Sequence, residues 1–483
     1  MKRTPLIALM LLSGCMVGPD YQRPGAPEAA TFKEATADVP DGWKLGTPID
    51  QLPKGAWWSI YQDPALDALE RQVALSNQNI KSFEAQYRQA QAIVDEARSQ
   101  ELPTVGVSAG VTRSRSGGSG GIGSTSGVTT TGSSSRGART QFTAEGTASW
   151  DLDLWGRIRR QVESDVASAQ VSAADLANAT LSAQSTLATD YFQLRAQDAL
   201  TQLLTDTVKA DEEALRITQN QYDAGTAAPS DVAQAETELA SARAQLISAG
   251  VQRQTFEHAI AVLTGVPPAA LTLPPGTLAT NVPLVPAGLP SALLERRPDI
   301  AGAERAMAEQ NALIGVAVAA YYPDISLSAD YGFEGNPIGK LFRAANRIWS
   351  LGANASETLF DGGERDATIR AAQASYDGSV ATYRQTVLTA FQQVEDQLST
   401  LRILQQQAVA EAEAVRAAGH SRDIALNEYR AGTVAYTTVV TAQTALLGDQ
   451  EAALTVQQNR FVASATLIAA LGGGWTVGDL PTQ

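Results

Sequence analysis

Tyr222-Asp223-Ala224-Gly225-Thr226 decides the reading of this chain, because it returns as Tyr429-Arg430-Ala431-Gly432-Thr433. Each copy interrupts a long helical pattern of apolar residues. Glycine tolerates the left-handed backbone that closes a helix, so each copy reads as a helix end and a tight reversal. Pro229, Ser230 and Asp231 follow the first copy and suit the start of a returning helix. The chain is therefore two related halves, each built around a long helical hairpin.

Working outward, one plan occurs twice. The first repeat occupies residues 64–265. Leu66, Leu69, Val73, Ile80, Phe83 and Tyr87 recur at threes and fours, which predicts a helix from Pro64 to about Glu101. Pro103 stops it. The period then changes to two. Val105, Val107, Ala109 and Val111 alternate with small or polar residues, and Phe142, Ala144, Gly146, Ala148 and Trp150 do so again. Residues 114–139 between them are almost all Gly, Ser, Thr and Arg, so 104–150 reads as a β-hairpin with a long polar loop. That loop lacks the Gly-Lys-Ser/Thr ending of a phosphate cradle. After Leu154-Trp155-Gly156 a helical pattern runs to Tyr222, about 68 residues or roughly 100 Å. With a shorter returning helix it makes a helical hairpin over 157–264.

Residues 266–292 are Pro-rich and irregular and form an equatorial linker. The second repeat, 293–471, has a helix ended by Pro323, a β-hairpin over 324–358 and a helical hairpin over 363–471. Residues 472–483 are a short tail, and residues 15–63 are an irregular N-terminal segment that wraps over another part of the molecule.

Strands of about ten residues, tilted, have the length of a transmembrane β-strand. One chain supplies four, and open strand edges are forbidden in lipid. Small closed barrels start near eight strands, so the chain must oligomerise. Two chains would close a plugged barrel, and three would close twelve strands around a water-filled lumen. The expected fold is mixed: all-α staves plus a membrane β-barrel. It is built from an internal tandem repeat, and the strand count alone leaves both closures open.

The N-terminus adds an address. Lys2-Arg3 precede an apolar run, Leu6 to Leu12, too short to span a bilayer. Leu12-Ser13-Gly14-Cys15 resembles the bacterial lipobox, which makes 1–14 a lipoprotein signal peptide and Cys15 the lipidation site. Met16 follows in place of an inner-membrane-retaining Asp, which favours the outer membrane. Acylation anchors a chain without spanning the membrane.

Composition excludes other classes. The formal net charge of −15 argues against nucleic acid. One cysteine forbids an internal disulfide, and His258 and His420 are far apart in sequence. No HExxH, CxxC or GxSxG occurs, so neither a metal site, a bound cofactor nor an enzyme is expected; the covalent lipid on Cys15 is the one attached group.

Several stretches match a known family in order and spacing. They are Cys15 to Tyr21, Trp57-Trp58 with Asp63-Pro64 and Leu66, Leu293 to Ile300, Asn311 to Val316, Tyr322-Pro323, Leu359 to Gly363, both turns, and Gly472 to Trp475. The chain resembles the TolC-like outer-membrane factors of tripartite efflux pumps, and the NodT-type lipoprotein branch in particular. The resemblance implies a homotrimer in the bacterial outer membrane, lipid-anchored: a trimeric 12-stranded β-barrel continuous with a long α-helical barrel in the periplasm. It also implies a periplasmic adaptor and an inner-membrane pump of RND type as partners, and passage of small toxic compounds as function. Type I protein secretion and metal-ion efflux are the alternatives in the same architecture.

In that family the turns form the periplasmic mouth, and the resemblance implies roles there. Gly225, Thr226, Gly432 and Thr433 would contact the adaptor. Tyr429 would hydrogen-bond Asp231 and hold the mouth closed. Val434 stands where relatives often carry a basic residue, and Thr438 and Thr441, with Thr437 beside them, stand where relatives place acidic rings. Less negative charge than usual is expected at the aperture.

Overall fold

The computed structural model describes residues 16–27, 31–34, 56–115, 138–283, 285 and 293–481. Cys15, Trp43 and most of the polar loop between the first two strands lie outside the described residues. In chain order the elements are α1 (Pro64–Ser76), α2 (Gln78–Ser99), β1 (Thr104–Ser114), β2 (Arg139–Leu152), α3 (Arg157–Asp223) and α4 (Pro229–Leu263). After one helical turn at Leu293–Arg296 come α5 (Pro298–Ala319), β3 (Asp324–Gly335), β4 (Arg347–Ser356), α6 (Glu364–Arg430) and α7 (Tyr436–Ala470). Both long helices have 67 residues and both returning helices have 35, so the duplication read from the turns holds element by element.

One expectation changes. The helix expected over Pro64 to Glu101 is two helices, broken at Asn77, whose backbone turns extended at ψ 123°. Asn77 Oδ1 accepts the N–H groups of Asn79 at 2.9 Å and Ile80 at 3.1 Å, which caps α2. Its Nδ2 donates to the carbonyl of Leu263 at 2.8 Å, fastening the break to the end of α4. Asp63 caps α1 by accepting from Ala65 and Leu66, and Tyr191 of α3 donates to its other oxygen at 2.6 Å.

The chain divides into two compact units. One comprises residues up to 22 with 90–169 and 307–379, and holds the sheet. The four strands form an antiparallel meander in the order β1-β2-β3-β4. The two hairpins thus join through β2 and β3, with Ala148 opposite Ala329 and Trp150 opposite Leu327. Register puts the apolar positions of all four strands in common rows, such as Val105, Ala148, Ala329 and Leu351. One face is therefore apolar, and the other carries Ser108, Glu145, Thr147, Asp330 and Ser350. Val107, Trp349 and Leu351 are exposed on the apolar face, at 90, 68 and 76 %. No described helix is long and apolar enough to cross a membrane.

The second unit comprises 23–89, 170–306 and 380–483. Its core joins three parts of the chain: Tyr61 meets Phe192 edge-on at 4.8 Å, and Phe192 lies 4.8 Å from Phe461. The described N-terminal segment packs along α6, as expected of a wrapping strap. Arg23 donates to Tyr383, Phe32 is buried against Phe391, and Glu395 accepts the N–H groups of Lys33 and Glu34.

Candidate functional site

The two turns have the same geometry. Gly225 and Gly432 sit at φ 74° and 73°, where a Cβ would be strained. The N–H of Gly225 donates to Tyr222 and that of Thr226 to Gln221. The N–H of Gly432 donates to Tyr429 and that of Thr433 to Glu428. This pair of bonds is the Schellman closure of a helix. Each Thr also donates its hydroxyl to the carbonyl five residues back, at 3.0 and 2.9 Å. A glycine followed by a hydroxyl residue therefore satisfies the last carbonyls of both long helices, which is why the stretch occurs twice.

Beside the turns the ends of α3, α4, α6 and α7 share an apolar cluster of Ala214, Ala235, Ala425, Tyr429, Tyr436, Val439 and Val440. Tyr429 and Tyr436 lie 5.1 Å apart, centroid to centroid, and only 6 and 1 % exposed. Tyr429 donates its hydroxyl to Thr218 Oγ1 at 3.4 Å, and Thr218 in turn donates to Ala214 at 2.9 Å. The bond to Asp231 implied by the resemblance is not made. Asp231 acts on Tyr429 through space: burial first, then its negative charge, raise the phenol pKa, while the bond to Thr218 lowers it. Tyr436 is raised further, by burial and then by Asp211, Tyr429, Glu238 and Asp231.

The structure adds residues that the sequence reading missed. Asp211 is buried at 7 % exposure, and burial together with the nearby charge of Glu238 raises its carboxyl to about 6. Thr218 and Tyr436 were visible only as members of an apolar stripe: Tyr436, Val439 and Val440 are spaced three and four apart. That stripe also places Thr437, Thr438 and Thr441 on the opposite, exposed face of α7, where Thr441 donates back to the carbonyl of Thr437 at 2.9 Å. Gly225, Thr226, Gly432 and Thr433 are all exposed, and Val434 is half-buried against the cluster. Among the described residues no three His, Cys, Asp or Glu side chains converge as a metal would require.

In the first unit, the stretch that follows Cys15 is clamped. Arg160, 1 % exposed, donates Nε to the carbonyl of Val17 at 3.1 Å and Nη2 to Gly18 at 3.3 Å and Asp20 at 2.9 Å. Val17 donates to Trp155 at 3.1 Å, and Asn311 to the carbonyl of Pro19 at 2.9 Å. Gly18, at φ 95°, lies so close to Gly315 that a Cβ would come within 2.5 Å of its Cα. Trp155 stacks on Tyr322 at 4.8 Å.

A family model described as outer membrane efflux protein matches residues 69–266 and 289–473, one stretch per repeat. The solvent efflux pump outer membrane protein SrpC of Pseudomonas putida is 31 % identical over 496 aligned residues, covering 99 % of each chain. The pyoverdine export outer membrane protein OpmQ of Pseudomonas aeruginosa is 33 % identical over 87 % of each. The solved outer-membrane channel OprN superposes with a TM-score of 0.85 at 29 % identity, covering 95 % of this chain and all of that one.

Proposed function

The chain belongs to the outer membrane efflux protein family, and we propose that it is the outer-membrane exit channel of a tripartite efflux pump, passively conducting small toxic compounds. The observation that carries the reading is the four-stranded sheet, apolar on one face and with β1 and β4 as edges, each of whose two hairpins is followed in the chain by a helix of 67 residues. In lipid those edges must be paired by other copies of the chain. Three copies give the twelve strands of a water-filled barrel. Cys15 carries the lipid anchor, and the partners are a periplasmic adaptor and an inner-membrane pump of RND type.

The hairpin ends are the gate. Tyr429 and Tyr436, with Val439 and Val440, pack the two hairpins together, and Asp231 lies near enough to act on both phenols. Thr437, Thr438 and Thr441 line the aperture, and the exposed turns at Gly225-Thr226 and Gly432-Thr433 meet the adaptor. The names of relatives, which include solvent, toluene, antibiotic and pyoverdine exporters, favour small organic cargo over secreted protein or metal ions. Purified protein should crosslink as a trimer and open discrete conductance steps in planar bilayers. A deletion strain should become sensitive to solvents or antibiotics. A monomer without conductance would overturn the channel reading.

A further inference from the structure

The sheet is charged differently at its two ends. At the helix end arginines meet carboxylates: Arg157 pairs with Asp324 at 3.8 Å, Arg159 with Asp153 at 3.2 Å and Arg365 with Asp361 at 2.5 Å. At the loop end six described cations are exposed: Arg115 after β1 and Arg139 of β2, and a set of four, Arg113 of β1, Lys340 and Arg343 in the β3–β4 connection, and Arg347 of β4. None of the four pairs with a carboxylate among the described residues.

Strand alternation fixes the face on which two of them lie. Register sets Arg347 opposite Phe333, and Trp349 opposite Tyr331, on the apolar side. Arg113 is in step with Val107, Ala109 and Val111 on the same side. The two edge strands therefore each end their apolar face with an arginine. Tyr331 and Trp349, 56 and 68 % exposed, lie one row in from Arg347. Phe342, 73 % exposed, sits between Leu341 and Arg343 with its ring edge-on to Phe333 at 5.4 Å. Asn346 donates to the carbonyl of Lys340 at 2.8 Å and braces this connection. The apolar row from Ile325 to Phe333 runs about 26 Å along β3, or about 20 Å of height at a tilt near 40°, close to the apolar band of a barrel.

An apolar band, then amphipathic aromatic rings, then unpaired cations is the order of depth at a leaflet whose headgroups bear phosphates. Arginine suits that role because its planar fork binds two phosphate oxygens at once. We propose that Arg113, Lys340, Arg343 and Arg347 form a collar that binds the phosphorylated headgroups of the lipid leaflet at the loop end of the sheet. The proposal rests on the channel reading above, which supplies the membrane.

The test is native mass spectrometry of the purified full-length protein, titrated with bisphosphorylated lipid A, monophosphorylated lipid A, phosphatidylethanolamine and inorganic phosphate. Each basic residue at an anionic lipid surface strengthens association about fivefold, so four give up to several hundredfold before screening. Arg113→Gln with Lys340→Gln, Arg343→Gln and Arg347→Gln should weaken bisphosphorylated lipid A binding at least tenfold. The corresponding Arg→Lys variant should keep most of it. Unchanged binding in the Gln variant, or equal affinity for phosphatidylethanolamine, would overturn the collar. Displacement of lipid A by millimolar inorganic phosphate would assign the site to free phosphate instead and overturn the lipid source. Planar-bilayer conductance separates the two readings. A conducting Gln variant with undiminished lipid A binding refutes the collar alone, and a wild-type protein that never conducts refutes the channel.

Discussion

Replacing Glu70 by Gln should stabilise the protein, by an amount that grows with pH. Glu70 is fully buried in α1, and neither carboxylate oxygen has a hydrogen-bond partner among the described residues. Burial raises its pKa from the ordinary 4.5 to about 9. At pH 7 the folded chain therefore holds this carboxyl protonated, while the unfolded chain ionises it. A folded pKa above the unfolded one means that stability is greatest below about pH 4.5 and falls as pH rises toward 9. Each pH unit in that window costs about 1.4 kcal/mol, so the cost at pH 7 is about 3 kcal/mol per chain. Gln keeps the shape and cannot ionise. Thermal unfolding of wild type and Glu70→Gln across pH 5 to 8 reads the difference directly. The average unfolding entropy of a chain this long gives about 1 °C per kcal/mol. The gap in Tm should then widen from about 1 °C at pH 5 to about 5 °C at pH 8. A gap that does not change with pH, or a Gln variant less stable throughout, would refute the reasoning.

Four further outcomes are expected. Tyr429→Phe deletes a buried bond of 3.4 Å and should loosen the hairpin ends by about 1 kcal/mol; combined with Asp231→Ala it should raise closed-state conductance in planar bilayers, and unchanged conductance would remove both residues from the gate. Asp211, raised to about 6 by burial and Glu238, is favoured protonated, so the hairpin ends should loosen as pH rises from about 4 to 6 and hold that loss above it. Asp211→Asn should abolish this change, by about 3 kcal/mol at pH 7, in hydrogen exchange of peptides spanning 205–225. Trivalent cations should block the channel only weakly, because Thr437, Thr438 and Thr441 carry no charge; micromolar block would contradict this. Cys15→Ser should abolish incorporation of labelled palmitate while the trimer still assembles, and a variant that stays labelled would place the anchor elsewhere.

Much of the fold was legible because its elements are long. A 67-residue helix repeats its apolar spacing many times, and a left-handed glycine marks where it must end, so α3 and α6 and their turns could be placed almost to the residue. The strands were legible from alternation, but their order was not: pairing of β2 with β3 joins residues from different repeats, and no local pattern encodes it. The break at Asn77 escaped because the apolar spacing continues through it from Val73 to Ile80, and only a side-chain cap and a distant carbonyl show the interruption. Glu70 left a signal that was not used. Leu66, Leu69, Glu70 and Val73 occupy one helical stripe, and a carboxyl in such a stripe must be paired or protonated.

The hairpin ends illustrate how resemblance and geometry divide the work. Matching positions pointed to a Tyr429–Asp231 bond, whose strength would come from charge. The structure instead seats Tyr429 against Tyr436, Val439 and Val440, with its hydroxyl on an uncharged threonine. A long neutral bond of this kind contributes about 1 kcal/mol or less. Burying an aromatic side chain contributes several times that, about 3 kcal/mol or more on truncation to Ala. Val434 packs on the same cluster and adds to the apolar part. The proposed lock is therefore held mainly by packing, with acidic groups Asp211, Asp231 and Glu238 around the two phenols opposing ionisation rather than forming pairs. Parting the two hairpins must strip the Tyr429 and Tyr436 rings from Ala214, Ala235 and Thr218 of the first hairpin, a loss of packing that added salt does not bring about.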